Sequence, residues 1–420
     1  MALTILHIST RLILGGSQEN TVLSCEGQAE AGHEVHLAFG PIYGPEGSLL
    51  ERVSAFRTAD GRGIHLHELP NLVREISPVK DHFCFHRDLK RLMDEVRPDV
   101  VHTHSSKAGI LGRWAAWCAR RRHGRGGRDG AGGRPAVVHT IHGPPFMPVS
   151  GGVVRRVKTA VVNQFYAEAE RFAAKRCHLI LSVADAMTAQ FLARGIGSAE
   201  RYITVRSGME IDPFLHPAEG EERASVRASL GLSAEDFVIG TVARLAEHKG
   251  HDDILDALGG AMREDEKLRL LWVGDGWWRD RLLARVERMG LSGRVVTTGL
   301  VPQRRVPAMM RAMDVLCHPS SREGLPRTVP QALLAGVCPV AYDVDGTGEV
   351  CIDMRTGRLV PHGDTGALRD AILWLRDNPD ERARMVLEGR EMCVREFDHS
   401  AMVHHLERIY ARAIEMAESC

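Results

Sequence analysis

Strand-like and helix-like runs alternate along almost the whole chain, in two successive series. In the first, Leu3–Ile8, Glu34–Phe39, Ile64–Glu68, Asp99–Val101, Ala136–His139 and Leu179–Val183 predict strands. Helical patterns fall between them at Ser17–Ala31, His82–Val96, Lys107–Arg122 and Val153–Arg176. In the second, Phe237–Val242, Leu268–Val273, Val295–Thr298, Val315–Cys317, Val340–Tyr342 and Arg358–Val360 predict strands. Helices at Asp252–Met262, Trp278–Met289 and Pro302–Met313 separate them. A helix between two strands makes a crossover, and repeated crossovers build a parallel sheet covered on both faces. The chain's 420 residues suit two such domains. The turn-rich, polar segment Asp212–Glu222 reads as the linker. The expected fold is therefore α/β: two Rossmann-like doubly wound domains, 1–207 and 208–399, facing a cleft at their strand C-terminal edges. A last helix, within 400–420, is expected to pack back on the first domain.

Lys plus Arg and Asp plus Glu cancel at 54 each, so bulk charge gives no reason to expect nucleic acid as a partner. Nine scattered cysteines without a C-x-x-C suit reduced thiols in a cytoplasm. The opening MALTILHIST lacks a basic region and reads as a first strand, not a signal peptide. No apolar run approaches the ~20 residues that span a bilayer. Arg120–Arg134 is rich in Gly and Arg and reads as a basic surface loop, either an insertion or a contact for an anionic surface.

The segment with most chemistry is PSSREGLPRTVPQALLAG, Pro319–Gly336. It joins a strand to a helix through a turn that carries Glu323 and Gly324. Such a unit offers free N–H groups and the positive end of a helix dipole, which suit a diphosphate. The Glu323 carboxylate would repel that diphosphate, so it is better suited to accepting hydrogen bonds from sugar hydroxyls. Arg244 and Lys249, just past Phe237–Val242, are placed to neutralise a leaving diphosphate. Gly274-Asp275-Gly276 reads as a sharp turn able to admit a nucleotide base. Asp343-Val344-Asp345 precedes Gly346 and reads as a turn, not a metal site.

In the first series, Gly15 and Gly16 precede a helix that Ser17 could cap, and they supply N–H donors at close approach. A tight turn needing positive φ would explain the same glycines. There is no G-x-G-x-x-G and no P-loop lysine, which argues against a dehydrogenase or an ATPase. His102 and His104 share a strand face, but no third ligand lies near in sequence, so a polar strand end is favoured over a metal pair. His142 stands beside Gly143 past a strand end. It is placed to hydrogen-bond a sugar hydroxyl or carry a proton, or simply to cap a loop.

Taken together, GGSQEN, HTHSSKAG, HTIHG, ITVRSGMEIDPF, VARLAEHKG, VGDG and SSREGLPRTVPQALLAG resemble, in order and spacing, a group 1 (family 4) retaining glycosyltransferase of GT-B fold. The resemblance covers essentially the whole length. It implies a nucleotide diphosphate sugar, with UDP favoured, bound mainly by the second domain, and an acceptor on the first. It places Gly16 near the phosphates and reacting centre and His142 on the transferred sugar. It puts Arg244 and Lys249 on the diphosphate, Glu323 on the sugar hydroxyls, and Gly324 and Leu325 as N–H donors. One residue departs from the pattern: the signature E-x(7)-E has Gln331 as its second acid. That position normally accepts from ribose hydroxyls, and an amide oxygen accepts more weakly than a carboxylate.

The cationic pair suggests metal-independent departure of the diphosphate, with the acceptor hydroxyl attacking from the same face. No carboxylate is evidently placed for double displacement. The implied acceptor is a glycan or lipid-linked molecule of cell-surface polysaccharide or lipopolysaccharide synthesis. Gly152–Arg176 is basic with apolar residues at partly helical spacing. It reads either as a surface helix with its apolar face in the core or as a contact with the inner membrane surface. Two other classes fit the architecture: a nucleotide-sugar 2-epimerase and a non-catalytic glycan-binding relative.

Overall fold

The computed structural model describes residues 2–43, 47–123, 134–146 and 152–419. The chain divides into two compact units, Met1–Met209 with His399–Cys420, and Glu210–Asp398. The first holds β1 (Thr4–Ser9), β2 (Glu34–Phe39), β3 (His65–Glu68), β4 (Val100–His104), β5 (Ala136–Ile141), β6 (Leu179–Ser182) and β7 (Tyr202–Thr204). Their order in the sheet is β3-β2-β1-β4-β5-β6-β7, and every pairing is parallel. Helices cover both faces, so strand residues such as Ile5, Leu6, Val100, Val101, Val137 and Val138 are buried irrespective of which way they point. This is why the strands read as continuous apolar runs. β7 was not expected: it has three residues, all half-buried, at the sheet's edge.

The second unit holds β8 (Phe237–Val242), β9 (Leu268–Val273), β10 (Val295–Gly299), β11 (Val315–His318), β12 (Cys338–Tyr342) and β13 (Arg358–Val360). Their order is β10-β9-β8-β11-β12-β13, again all parallel. Strand order reverses between β1 and β4 in one sheet and between β8 and β11 in the other. Loops leaving the carboxyl ends at such a reversal diverge to opposite faces and leave a crevice for ligand.

The C-terminal helix His399–Glu418 belongs to the first unit. It lays Met402, Val403, Leu406, Ile409, Tyr410 and Ala413 against Ile5, Leu23, Val100, Val138 and Leu181. The stretch Asp212–Glu222 is not a linker. It opens with the short helix Asp212–Leu215, buries Phe214, and is held by Arg311, which donates to Pro213 O and pairs with Glu221. The units divide before it, between Met209 and Glu210, two residues past the expected 207/208 boundary.

Arg120 also differs from expectation. The helix Ser106–His123 carries it into the core, where it donates to Pro135 O and Ala417 O and lies over Trp117. Most of the remaining Arg/Gly-rich segment, 124–133, lies outside the described residues.

The helix Val153–Ala174 divides in two. Its C-terminal half buries Ala167, Glu170, Ala173 and Ala174, and Glu170 pairs with buried Arg113 at 2.6 Å. Among the described side chains its N-terminal half buries none: Val154, Val157 and Val161 are exposed beside Arg155, Arg156 and Lys158, and Phe165, one turn on, is exposed too. An ordinary surface helix would turn those residues to the core, so the core-facing reading fails for this half.

Candidate functional site

The reversal in the second sheet is where the loop after β8 meets the loop after β11. Two backbone requirements fix the meeting. Gly250 has φ +72, and a Cβ there would lie 2.1 Å from Pro319 O, so only glycine lets the loops touch. Ser321 N and Ser320 Oγ both donate to His248 O, at 2.9 and 3.0 Å. The juxtaposition brings Lys249 Nζ to 2.6 Å from Glu323 Oε1. Both side chains are largely buried, at 20% and 14% exposure. His318, the last residue of β11, places Nε2 3.2 Å from the same oxygen, off the line of a good hydrogen bond.

Burial pushes the Glu323 carboxyl up, but Lys249 and His318 outweigh it and hold it well below the usual carboxylate range. Glu323 is thus a fixed acceptor. Its backbone is fixed too: Glu323 N donates to Asp345 Oδ2 at 2.8 Å, and Gly346 N to Gly324 O at 3.0 Å. Asp345 adopts φ +50 to do this, which supports the turn reading of Asp343–Asp345. The N–H groups of Gly324 and Leu325 have no partner among the described residues. The helix Thr328–Leu334 follows, with Gln331 buried on it.

Arg244 is exposed and makes no ion pair among the described residues; its guanidinium lies 5.6 Å from the centre of the Trp277 ring. It and Lys249 therefore differ in state, one with no ion pair among the described residues and one paired with Glu323. Gly274 has φ +133, and a Cβ there would sit 2.2 Å from Ala243 O. Its turn packs the end of β9 directly against the start of the Arg244 loop.

In the first unit the loops after β1, β4 and β5 come together. Thr10 Oγ1 and Ser105 Oγ lie 2.7 Å apart across the reversal. The helix Gly16–Glu30 starts two residues earlier than the capping reading required: Gly15, not Ser17, is the cap position, with extended φ −178. No positive φ is needed there, and Ser17 lies in the first turn, donating to Gln18 Oε1 instead of capping. A Cβ on Gly15 would meet Gln18 Oε1 at 2.7 Å.

His104 joins two other imidazoles. His7 Nδ1 is 2.9 Å from His104 Nε2, and His104 Nδ1 is 3.0 Å from His142 Nε2. His102 instead contacts the Tyr410 hydroxyl and Thr140 Oγ1, at 2.6 and 2.7 Å. His7, His102 and His104 could surround a metal ion by distance alone, but all six of their ring nitrogens already have hydrogen-bond partners. Burial holds His7 down to about 4, and pushes His102 and His104 well below the ordinary histidine value.

The structure thus brings together Lys249, Glu323, Gly324 and Leu325, with Gln331 on the helix that follows, and places Arg244 and Gly274 on adjoining loops. Gly15, Gly16 and His142 stand at the corresponding strand ends of the first unit. Sequence reasoning missed His318 and Asp345, which hold Glu323, and His7, Gln28 and Tyr410, which stand behind His142. A histidine closing the strand before the Glu323 turn, and an Asp-Gly after the next strand, were the signals for the first two.

Two families of sequence match the two halves. Residues 15–208 match the glycosyl transferase 4-like domain and residues 222–392 match glycosyl transferases group 1. The phosphatidyl-myo-inositol mannosyltransferase of Mycobacterium leprae is 36% identical over 94% of this chain and 92% of its own. The 2-deoxystreptamine glucosyltransferase of Streptomyces kanamyceticus is 31% identical over 66% of this chain and 70% of its own. In fold, Anabaena HepE in complex with UDP and glucose superposes with a TM-score of 0.76 at 19% identity, over 97% of this chain and 99% of that one. With two parallel-sheet Rossmann-like units and both matches in order, the chain belongs to the group 1 glycosyltransferases of GT-B fold.

Proposed function

We propose that this glycosyltransferase moves a hexose from a UDP-sugar, with retention, to a glycan or lipid-linked acceptor in the synthesis of cell-surface glycans. The observation that carries the donor half is the Lys249–Glu323 pair at the β8/β11 reversal, beside two uncommitted N–H groups. The diphosphate is held by Arg244 and by Lys249, the N–H groups of Gly324 and Leu325 add donors, and Glu323 accepts from the sugar hydroxyls. Gly274 borders the base and Gln331 the ribose. In the first unit, Gly15 and Gly16 border the phosphates and His142 meets the transferred sugar. Because Lys249 and Arg244 supply the positive charge the leaving group needs, the mechanism requires no metal. Glu323 is tied by Lys249 and His318, which suits an acceptor of hydrogen bonds better than a nucleophile, so the acceptor hydroxyl attacks from the leaving group's own face and its proton passes to the departing phosphate oxygen.

UDP is favoured because the solved structures of similar fold include complexes with UDP and UDP-glucose. A lipid-linked acceptor is favoured because relatives include the mannosyltransferase named above and an Escherichia coli enzyme named for a diphosphoundecaprenol acceptor. The exposed valine and phenylalanine stripe of Val153–Ala174, with its flanking arginines and lysine, supports peripheral contact with an anionic membrane. No described helix is long and apolar enough to cross one.

A thermal-shift screen of UDP-, GDP- and ADP-sugars tests the donor: the UDP-sugar is expected to raise the melting temperature most. A shift with GDP- or ADP-sugars alone would overturn the base assignment. Co-flotation with vesicles containing anionic lipid, lost on Val157→Glu with Val161→Glu, tests the membrane contact. Equal flotation with neutral vesicles, or none with either, counts against it.

A further inference from the structure

His142 stands at one end of a hydrogen-bonded series that begins under the C-terminal helix. Tyr410 OH is 3.1 Å from Gln28 Nε2, and Gln28 Oε1 is 2.8 Å from His7 Nε2. His7 Nδ1 then meets His104 Nε2, and His104 Nδ1 meets His142 Nε2. Tyr410, Gln28, His7 and His104 are all buried, at 1% exposure or less. Proton positions in such a series are not independent, because each neutral imidazole has one donor and one acceptor nitrogen.

The direction is set at the buried end. Gln28 gives its N–H to the tyrosine oxygen, so its carbonyl oxygen faces His7 and can only accept. His7 therefore carries its proton on Nε2 and accepts at Nδ1. His104 must donate from Nε2 and accept at Nδ1, and His142 must donate from Nε2. The tyrosine hydroxyl, having accepted from Gln28, donates to His102 Nδ1, and His102 donates from Nε2 to Thr140 Oγ1. Each hydrogen bond of the network then has one donor and one acceptor. The series does not conduct protons, since its inner end is an amide. It fixes where they rest.

We propose that Gln28, oriented by Tyr410, locks His142 in its Nε2–H form and so sets the tautomer of the imidazole that the functional reading places on the donor sugar. Gln28, Tyr410, His7 and His104 are then positioning residues for His142. The sugar as the partner of His142 rests on the functional reading above; the proton positions rest on the first unit alone.

The test is nitrogen NMR on the full chain labelled at histidine, without donor, near neutral pH, with signals assigned by single His→Gln variants. His7, His104 and His142 are expected to be neutral and protonated at Nε2. A proton on His142 Nδ1 with Nε2 bare would mean the series runs the other way and would overturn the proposal. In Gln28→Leu, His142 is expected to lose its single protonation form, and turnover to fall about tenfold with a smaller change in donor KM, the worth of one misdirected hydrogen bond. A folded Gln28→Leu with an unchanged His142 spectrum refutes the origin assigned to the lock. If that variant does not fold, Tyr410→Phe is read the same way. Because the spectra need no substrate, a wrong donor assignment would leave them intact, and the two failures are told apart.

Discussion

Both sheets reverse strand order beside their opening strand, and the chain ends those strands in different chemistry. At the β1/β4 reversal and the neighbouring end of β5 stand His7, His102, His104 and His142, of which the first three are buried and kept neutral. At the β8/β11 reversal stand Lys249 and Glu323, charged and paired, with exposed Arg244 on the loop that leads to them. A buried charge must be paired, whereas a buried neutral imidazole needs only its hydrogen bonds. The first end is suited to reading neutral hydroxyls, the second to holding an anion. One topology thus carries two kinds of site, and the difference lies in a few residues at strand ends and on the loops that follow them.

The largest effect should separate the two cations of the second unit. Lys249→Ala leaves the largely buried Glu323 carboxylate with only His318 beside it. It should cost about 3 kcal/mol of stability, read by urea unfolding, as well as activity. Arg244→Ala should leave stability unchanged and lower kcat/KM about 100-fold, if it supplies charge to the leaving group. Equal stability losses in the two variants would erase the distinction between the cation paired with Glu323 and the one with no ion pair among the described residues.

Acid should break the first unit before the second. A histidine whose pKa falls from 6.5 in the unfolded chain to about 4 in the fold is protonated first in the unfolded chain. Stability is therefore lost as pH drops from about 6.5 to 4, by about 3 kcal/mol for each such residue. His7 and His178 are of this kind in the first unit, and burial pushes His102, His104 and His139 down further. In the second, His251 is the counterpart. Glu323 has a lowered pKa, so its contribution is present above about pH 4.5 and goes only below it. Hydrogen exchange at falling pH should show β1, β4 and β5 losing protection ahead of β8 and β11. The reverse order would contradict the contrast.

A smaller effect sharpens the anion-holding side. Gln331→Glu restores a carboxylate at the ribose position and should tighten UDP about threefold to tenfold, measured by calorimetry. No change would take that helix out of the nucleotide site.

Much of this was legible in the chain because βα periodicity is a local property. Twelve of the thirteen described strands were legible, most of them as apolar runs; β7, three half-buried residues at the sheet's edge, was not. The charged site was legible too, since Glu323, Gly324 and Lys249 stand on turns directly after strands. Contacts between distant segments were not. Nothing near Glu323 names Asp345, and nothing near His142 names Gln28 or Tyr410, which the C-terminal helix brings in from 382 residues beyond Gln28. The linker reading failed because Asp212–Glu222 looks polar and turn-rich, while the arginine that anchors it, Arg311, lies far along the chain.

The most direct test of the anion-and-hydroxyl division is calorimetry of UDP and of a UDP-sugar against the wild type, Arg244→Ala and Glu323→Gln. Arg244→Ala should weaken both ligands alike, because both carry the diphosphate, and Glu323→Gln should weaken the UDP-sugar while leaving UDP nearly unchanged. UDP binding that survives Arg244→Ala intact, or falls with Glu323→Gln as much as the UDP-sugar does, would contradict the account.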